Sequence, residues 1–188
     1  MTLKKLCKAL NWQGKGIRRW KDFIEELQFV VAVGEDALRE LEAEDAARNL
    51  IKKHISVASA DEIKAAVERS PLGAGIQVLP CDRRYQILNS EGWGGALDYT
   101  GIDRIRYISE FFDCDNFALA LAVVCAMKFH INSVGICLDF SGGHAYAILP
   151  VRQPDGSIEI VILEPQNDKY IISLGGMYQG KFGIAIFA

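Results

Sequence analysis

Hydrophobic and polar residues follow two rhythms along this 188-residue chain. Up to about residue 70, apolar positions recur every three or four residues among many charges. That period predicts amphipathic helices over Leu3–Trp12, Ile17–Val33, Glu35–His54 and Asp61–Arg69. In the third segment Leu38, Leu41, Asp45 and Arg48 share the spacing, with charged side chains free to sit outward. Asp61 and Glu62 mark the start of the fourth, because an acidic side chain caps free backbone N–H groups. Ser70-Pro71-Leu72-Gly73 then breaks the pattern and sets the expected boundary between a helical segment, residues 1–70, and a second domain, residues 71–188.

Beyond that point Gly75, Pro80, Asn89 and the run Gly92-Trp93-Gly94-Gly95 predict turns. Short strands or irregular chain are expected over Ile76–Leu88, and a brief helix near Ile102–Ile108. Asp115–Phe129 reads as a helix apolar on nearly every face, which places it at the centre of a fold, surrounded by other elements. Four β-like runs follow: Val134–Phe140, His144–Leu149, Ile158–Leu163 and Gly183–Phe187. Gln153-Pro154-Asp155-Gly156 predicts a hairpin turn between the second and third. The expected fold is therefore α+β, a central buried helix packed on an antiparallel β-sheet behind an N-terminal helical segment.

Composition narrows the function classes. Half the residues are hydrophobic and 24% are charged, which is the balance of a folded protein. A net charge of -3 gives no electrostatic reason to expect nucleic acid. The short basic cluster Arg18, Arg19 and Lys21, near Trp12 and Trp20, reads as a solvated helix face. The longest charge-free apolar run, Phe117–Met127, falls short of the ~20 residues that cross a bilayer, so no membrane span is expected. No signal-peptide pattern opens the chain, which makes the cytoplasm the expected compartment. Five cysteines (Cys7, Cys81, Cys114, Cys125 and Cys137) form an odd set without CxxC spacing, which argues against a disulfide framework and a structural zinc.

Candidate chemistry centres on Cys114. It sits in Phe111-Phe112-Asp113-Cys114-Asp115-Asn116-Phe117-Ala118, where a loop becomes the apolar helix. Unpaired N–H groups and the helix dipole favour a thiolate there, while Asp113 and Asp115 oppose one through like charge. His144, in Ser141-Gly142-Gly143-His144-Ala145-Tyr146, is the candidate base. Glu164 ends the next strand; if the two strands are antiparallel neighbours, its carboxylate reaches a ring nitrogen of His144 and fixes the tautomer. Gln166 is an alternative orienting group and a candidate oxyanion donor beside the Cys114 backbone N–H. Trp93, Tyr146 and Gly143 are candidates for a substrate groove. His54 and His130 read as structural, Cys125 and Cys137 as core, and Cys81 as a reserve thiol. The run Gly175–Gly180 lacks the Lys-Ser/Thr of a phosphate-binding loop.

Asp113-Cys114-Asp115-Asn116-Phe117-Ala118, Gly143-His144-Ala145 and Glu164-Pro165-Gln166 together resemble the papain-like and transglutaminase-like cysteine protease superfamily. The resemblance is to the protease domain of a mushroom agglutinin and to related bacterial and phage proteins, and it covers Ile76 to Ala188. It implies a Cys114–His144–Glu164 triad on a helix-and-sheet fold, hence a cysteine hydrolase or acyltransferase, foremost a peptidase with a peptide or protein substrate. No cofactor is expected. Calcium enters only by analogy with the agglutinin, with Asp113 and Asp115 as imaginable ligands, and two carboxylates fall short of the six to eight oxygens calcium takes. Two other readings stand beside this one. The first is a non-catalytic binding or assembly module, phage-related, whose N-terminal helices dock on a protein partner. The second is a helical segment that covers the site as a pro-region does.

Overall fold

The structure, a computed structural model, describes residues 42–188 together with Gln28, Val31, Ala32 and Arg39. The predicted helix Leu3–Trp12, nearly all of Ile17–Val33, the basic cluster with its two tryptophans, and Cys7 lie outside the described residues. The chain divides into two compact units, Met1–Glu44 and Asp45–Ala188, and every described strand belongs to the second.

A helix over residues 42–52 (α1) leads into β1 (Ile55–Ser59) and α2 (Ala60–Arg69). A 3-10 turn at Gly73–Gly75 precedes β2 (Ile76–Pro80), β3 (Arg84–Leu88) and α3 (Ser90–Thr100). A second 3-10 turn at Ile102–Arg104 occupies the place of the expected brief helix. Then come α4 (Cys114–Phe129), β4 (Gly135–Asp139), β5 (His144–Arg152), β6 (Ile158–Glu164), β7 (Lys169–Ile171) and β8 (Gly183–Phe187).

The coarse α+β class holds, but the sheet is mixed rather than antiparallel. Eight strands join in one sheet, in the order β1-β3-β5-β4-β8-β2 with β6 and β7 beside β5. β2 pairs with β8 and β3 with β5 in parallel, and the remaining pairs are antiparallel. The parallel pairs join strands separated by long stretches of chain. No tight turn dictates direction there, and the intervening helices supply the crossover that a parallel pair needs. β5 carries β6 along one edge and shares its other edge between β4 and β3, because Ala147 pairs with both Ile136 and Leu163.

Alternation along β5 and β6 creates two cores. Tyr146, Ile148, Ile158, Ile160 and Ile162 face α2, where they meet Ile63, Ala66 and Val67. Ala147, Leu149, Val151 and Leu163 face the other way, toward Trp93, Ala96 and Leu97 of α3 and Phe117, Leu121, Cys125 and Phe129 of α4. The sheet is thus covered on both faces. Each large side chain fully removed from water there contributes roughly 1.5–3 kcal/mol.

Four local expectations are corrected. Gly92-Trp93-Gly94-Gly95 is helix, not turn. Asn89 Oδ1 accepts from the Gly92 N–H at 2.9 Å, and Trp93, 1% exposed, anchors α3 by donating its indole N–H to the Pro150 carbonyl at 3.0 Å. A Cβ on Gly92 would stand 2.7 Å from the His54 Cβ, so this glycine serves close packing. At α2 the cap is Ser59 rather than Asp61: its Oγ accepts from Glu62 N at 3.2 Å, and Glu62 Oε2 accepts from Ser59 N at 2.8 Å. Ile55–Ser59, inside the segment expected to be helical, is a strand and pairs with β3. Finally α4 is buried on one face only, since Leu119, Val123 and Met127 are 49%, 45% and 74% exposed. No helix among the described residues is long and apolar enough to cross a membrane.

Candidate functional site

The turn from β4 to β5 brings Asp139 opposite His144 in register. Asp139 is buried, and its carboxylate is fully used. Oδ1 accepts from the Ser141 hydroxyl and from Gly142 N at 3.1 Å; Oδ2 accepts from Gly180 N at 2.7 Å and the Tyr146 hydroxyl at 3.4 Å. Burial pushes this carboxyl up, but the bonds from Ser141, Gly180 and Gly142 outweigh it and hold the group below its ordinary range.

One carboxylate thereby ties the β4–β5 loop to the loop between β7 and β8. Further ties run from Ser141 N to the Phe182 carbonyl at 3.1 Å, and from Lys181 N and Phe182 N to Ser141 Oγ at 3.1 and 3.3 Å. The two backbones lie so close at Gly142 that a Cβ there would overlap the Met177 carbonyl.

His144 and Glu164 meet as the hairpin predicts. Nε2 stands 2.7 Å from Glu164 Oε2, and the two side chains are 9% and 7% exposed. Tyr178, carried in by the β7–β8 loop, donates its hydroxyl to the same Oε2 at 2.8 Å, and Gln166 N donates to Oε1 at 3.4 Å. Burial raises the Glu164 carboxyl, yet the bonds from His144 and Tyr178 outweigh it and leave it below its ordinary value. An ionised Glu164 only accepts, so Nε2 of His144 carries a hydrogen and a neutral ring presents Nδ1 as acceptor. The His144 ring packs edge-on to Tyr178 at 5.2 Å, and the Tyr146 ring lies tilted against Tyr178 at 5.5 Å.

Cys114 opens α4, half-buried, between Asp113 and Asp115. Asn116 Oδ1 accepts from Asp113 N at 3.2 Å. The carboxyl of Asp113 is pushed up by its hydrogen bond with Asp115, by desolvation and by the Asp115 charge. Among the described residues no hydrogen bond joins the Cys114 thiol to His144 or Glu164. The structure therefore brings His144, Glu164 and the Gln166 backbone together. It places Cys114 at a helix start flanked by the carboxylates of Asp113 and Asp115.

Gly143 lies in the connecting turn at φ +63°, a conformation open to glycine. Tyr146 is fully buried beneath the site, and Trp93 is buried on the α3 side of the sheet. Cys125 and Cys137 are core thiols, each pushed up to about 12, chiefly by burial. Cys81 is exposed at the end of β2. Asp113, Cys114 and Asp115 bring three potential ligand atoms within 4.8 Å of one another. One thiol and two carboxylates do not fit calcium, which takes six to eight oxygens.

Sequence reasoning missed Asp139 and Tyr178. The signal for Tyr178 was its place in a glycine-rich loop, weighed only for phosphate binding. Asp139 preceded the Ser-Gly-Gly turn without drawing notice.

Neither a protein-family model nor a curated protein matches this chain. Solved structures do. One, the "PSL1a-E64 complex", superposes with a TM-score of 0.54 and 21% identity over 70% of this chain and 51% of that one. Another, Polyporus squamosus lectin bound to a human-type influenza-binding epitope, gives 0.52 and 19% over 70% and 49%. The chain spans about half the length of these structures, and at such identities the likeness shows the fold alone. These matches correct the reading of the chain as a papain-like cysteine protease. The matched protein is a lectin, so the mushroom-agglutinin part of the resemblance stands, while the peptidase, its hydrolase chemistry and its catalytic triad are withdrawn.

Proposed function

We propose that this chain is a non-catalytic binding module that receives a protein ligand on the surface formed by the β4–β5 and β7–β8 loops. The observation that carries the reading is the side-chain distribution there. Phe140, Met177 and Phe182 are 54%, 50% and 67% exposed, on two loops that Asp139 and Ser141 hold rigid from below. Phe140 and Phe182 lie 5.5 Å apart. Aromatic rings and methionine are the side chains enriched where proteins bind one another, and a preformed platform avoids the entropy of ordering them.

The polar cluster beneath suits a structural role. Glu164 already accepts from His144 and Tyr178, and the thiol at Cys114 faces two carboxylates rather than a hydrogen-bonded base. A carbohydrate ligand is the second reading, favoured by the lectin description of the matched structures.

The test presents the immobilised chain to a displayed peptide library and to a glycan array. Ligands retained by the wild type are then measured against Phe140→Ala and Phe182→Ala. Removing an exposed ring at the centre of a protein interface is expected to cost about 1–2 kcal/mol, roughly a tenfold loss. Equal affinity in both variants would remove the ligand from this face. Retention of glycans alone would favour the second reading. Turnover of a peptide or ester that Cys114→Ala abolishes would defeat the non-catalytic reading itself.

A further inference from the structure

β6 is longer than its outer neighbour. β7 pairs only with Ile162, Leu163 and Glu164, while Ile158–Val161 continue past it with no strand on that edge among the described residues. Backbone groups of alternate residues in a strand point to opposite edges. Part of this stretch therefore directs N–H and C=O groups outward, in line with the β6–β7 ladder.

A cavity of about 910 Å³ follows this open edge. Ala66 and Pro71, at the end of α2, wall one face of the sheet edge; Trp93, Val151 and Tyr170 wall the other, and Ile172 stands at its margin. Apolar side chains thus contribute to both faces, alongside the polar Arg69, Ser70, Ser90, Gln153 and Glu159, and the unpaired backbone edge of β6 runs between them.

We propose that this slot takes an extended peptide segment of a partner protein. The segment adds as a strand antiparallel to Ile158–Val161, in line with β7, and carries apolar side chains on both of its faces. The occupant follows from continuity. An established antiparallel ladder stops at Ile162 although its template strand runs on, and only an extended backbone can prolong it. Two walled faces require apolar side chains at successive positions, unlike a strand laid on an open sheet. The site lies at the opposite end of β5 from the Phe140–Phe182 surface, and neither depends on the other. Edge strands left open recruit other strands, which makes a specific occupant a use of this edge rather than a hazard.

The experiment uses a fluorescein-labelled synthetic hexapeptide of alternating valine and isoleucine, with a terminal lysine for solubility, titrated against the full chain by anisotropy. Two further peptides carry N-methyl groups on one or the other alternate set of amides. Binding is expected with the parent peptide and with one methylated set, and at least tenfold weaker with the other, which cannot donate to β6. Ile172 is 94% exposed, so Ile172→Asp leaves the fold intact, and it is expected to weaken binding severalfold. Hydrogen exchange at 158–161 is expected to slow at least tenfold with peptide bound. No binding, equal binding of both methylated sets, or protection confined to other strands would overturn the proposal. Protection at 158–161 that grows with protein concentration alone would also overturn it, and would assign the edge to a second copy.

Discussion

Two carboxylates show how much a residue's surroundings decide. Asp168 follows β6 at φ +51°, with Oδ1 buried and without a partner among the described residues. Burial, and then the charges of Asp103 and Asp98, push its carboxyl up to about 6. The unfolded chain releases this proton near 3.8 and the native state near 6, so the group costs stability throughout the range above 6 and nothing below about 3.8. Asn tolerates the same left-handed backbone. Asp168→Asn is therefore expected to stabilise by on the order of 1 kcal/mol at pH 7.5 after solvent screening, read as a higher melting temperature, and to leave stability unchanged at pH 3.

Asp139 is the opposite case. Its depressed value means that its stabilisation is present above about 3.8 and lost as pH falls through the lower native value. Asp139→Asn is expected to destabilise by about 2 kcal/mol at pH 7, read by urea unfolding, and to flatten the acid limb of the stability curve. The pairing of His144 with Glu164 was legible because one hairpin turn sets it. Asp139 was not, because the partner that matters, Gly180, comes 41 positions later and no local pattern announces it.

At the scale of elements, strong periodicity survived and weak signals did not. The runs that became β4, β5, β6 and β8 form strands of five to nine residues, whereas β7 has three. α3 was hidden by its glycines, which sequence rules treat as breakers. Asn89 starts the helix and Trp93 secures it, two effects that outweigh about 1 kcal/mol of propensity per glycine.

The reading of α4 went astray for a different reason. Apolar residues all round a helix do imply burial on average, yet this one meets the sheet through Phe117, Leu121, Cys125 and Phe129 and leaves Leu119, Val123 and Met127 at the surface. The two faces should respond differently. Leu121→Ala is expected to cost about 2–5 kcal/mol, while Val123→Lys should stay within about 0.5 kcal/mol, both read from denaturant midpoints.

For the molecule as a whole, the α+β class followed from a buried helix and a train of strands, but the sheet's mixed directions did not. β8 lies between β4 and β2, and nothing local in Gly183–Phe187 specifies a parallel partner at Ile76–Pro80. Function was the least legible level. A Cys-His-Glu order suggested chemistry, while a fold shared with a lectin at 19–21% identity fixes no role, since one scaffold lends itself to several. The place of β8 yields a whole-molecule prediction. A chain ending before Gly183 leaves facing edges of β2 and β4 unpaired and is expected to be recovered as aggregate, measured by the soluble fraction on expression.

The same placement imposes a timetable on biosynthesis. At ordinary ribosomal rates the stretch from Pro80 to Gly183 takes on the order of 5–20 s to emerge. Throughout that interval β2 waits beside a gap that no earlier strand can fill. The strands from β1 to β7 other than β2 can pair as they emerge. The joining of β2 to the sheet is the late event, and until then its edge stays open to other strands.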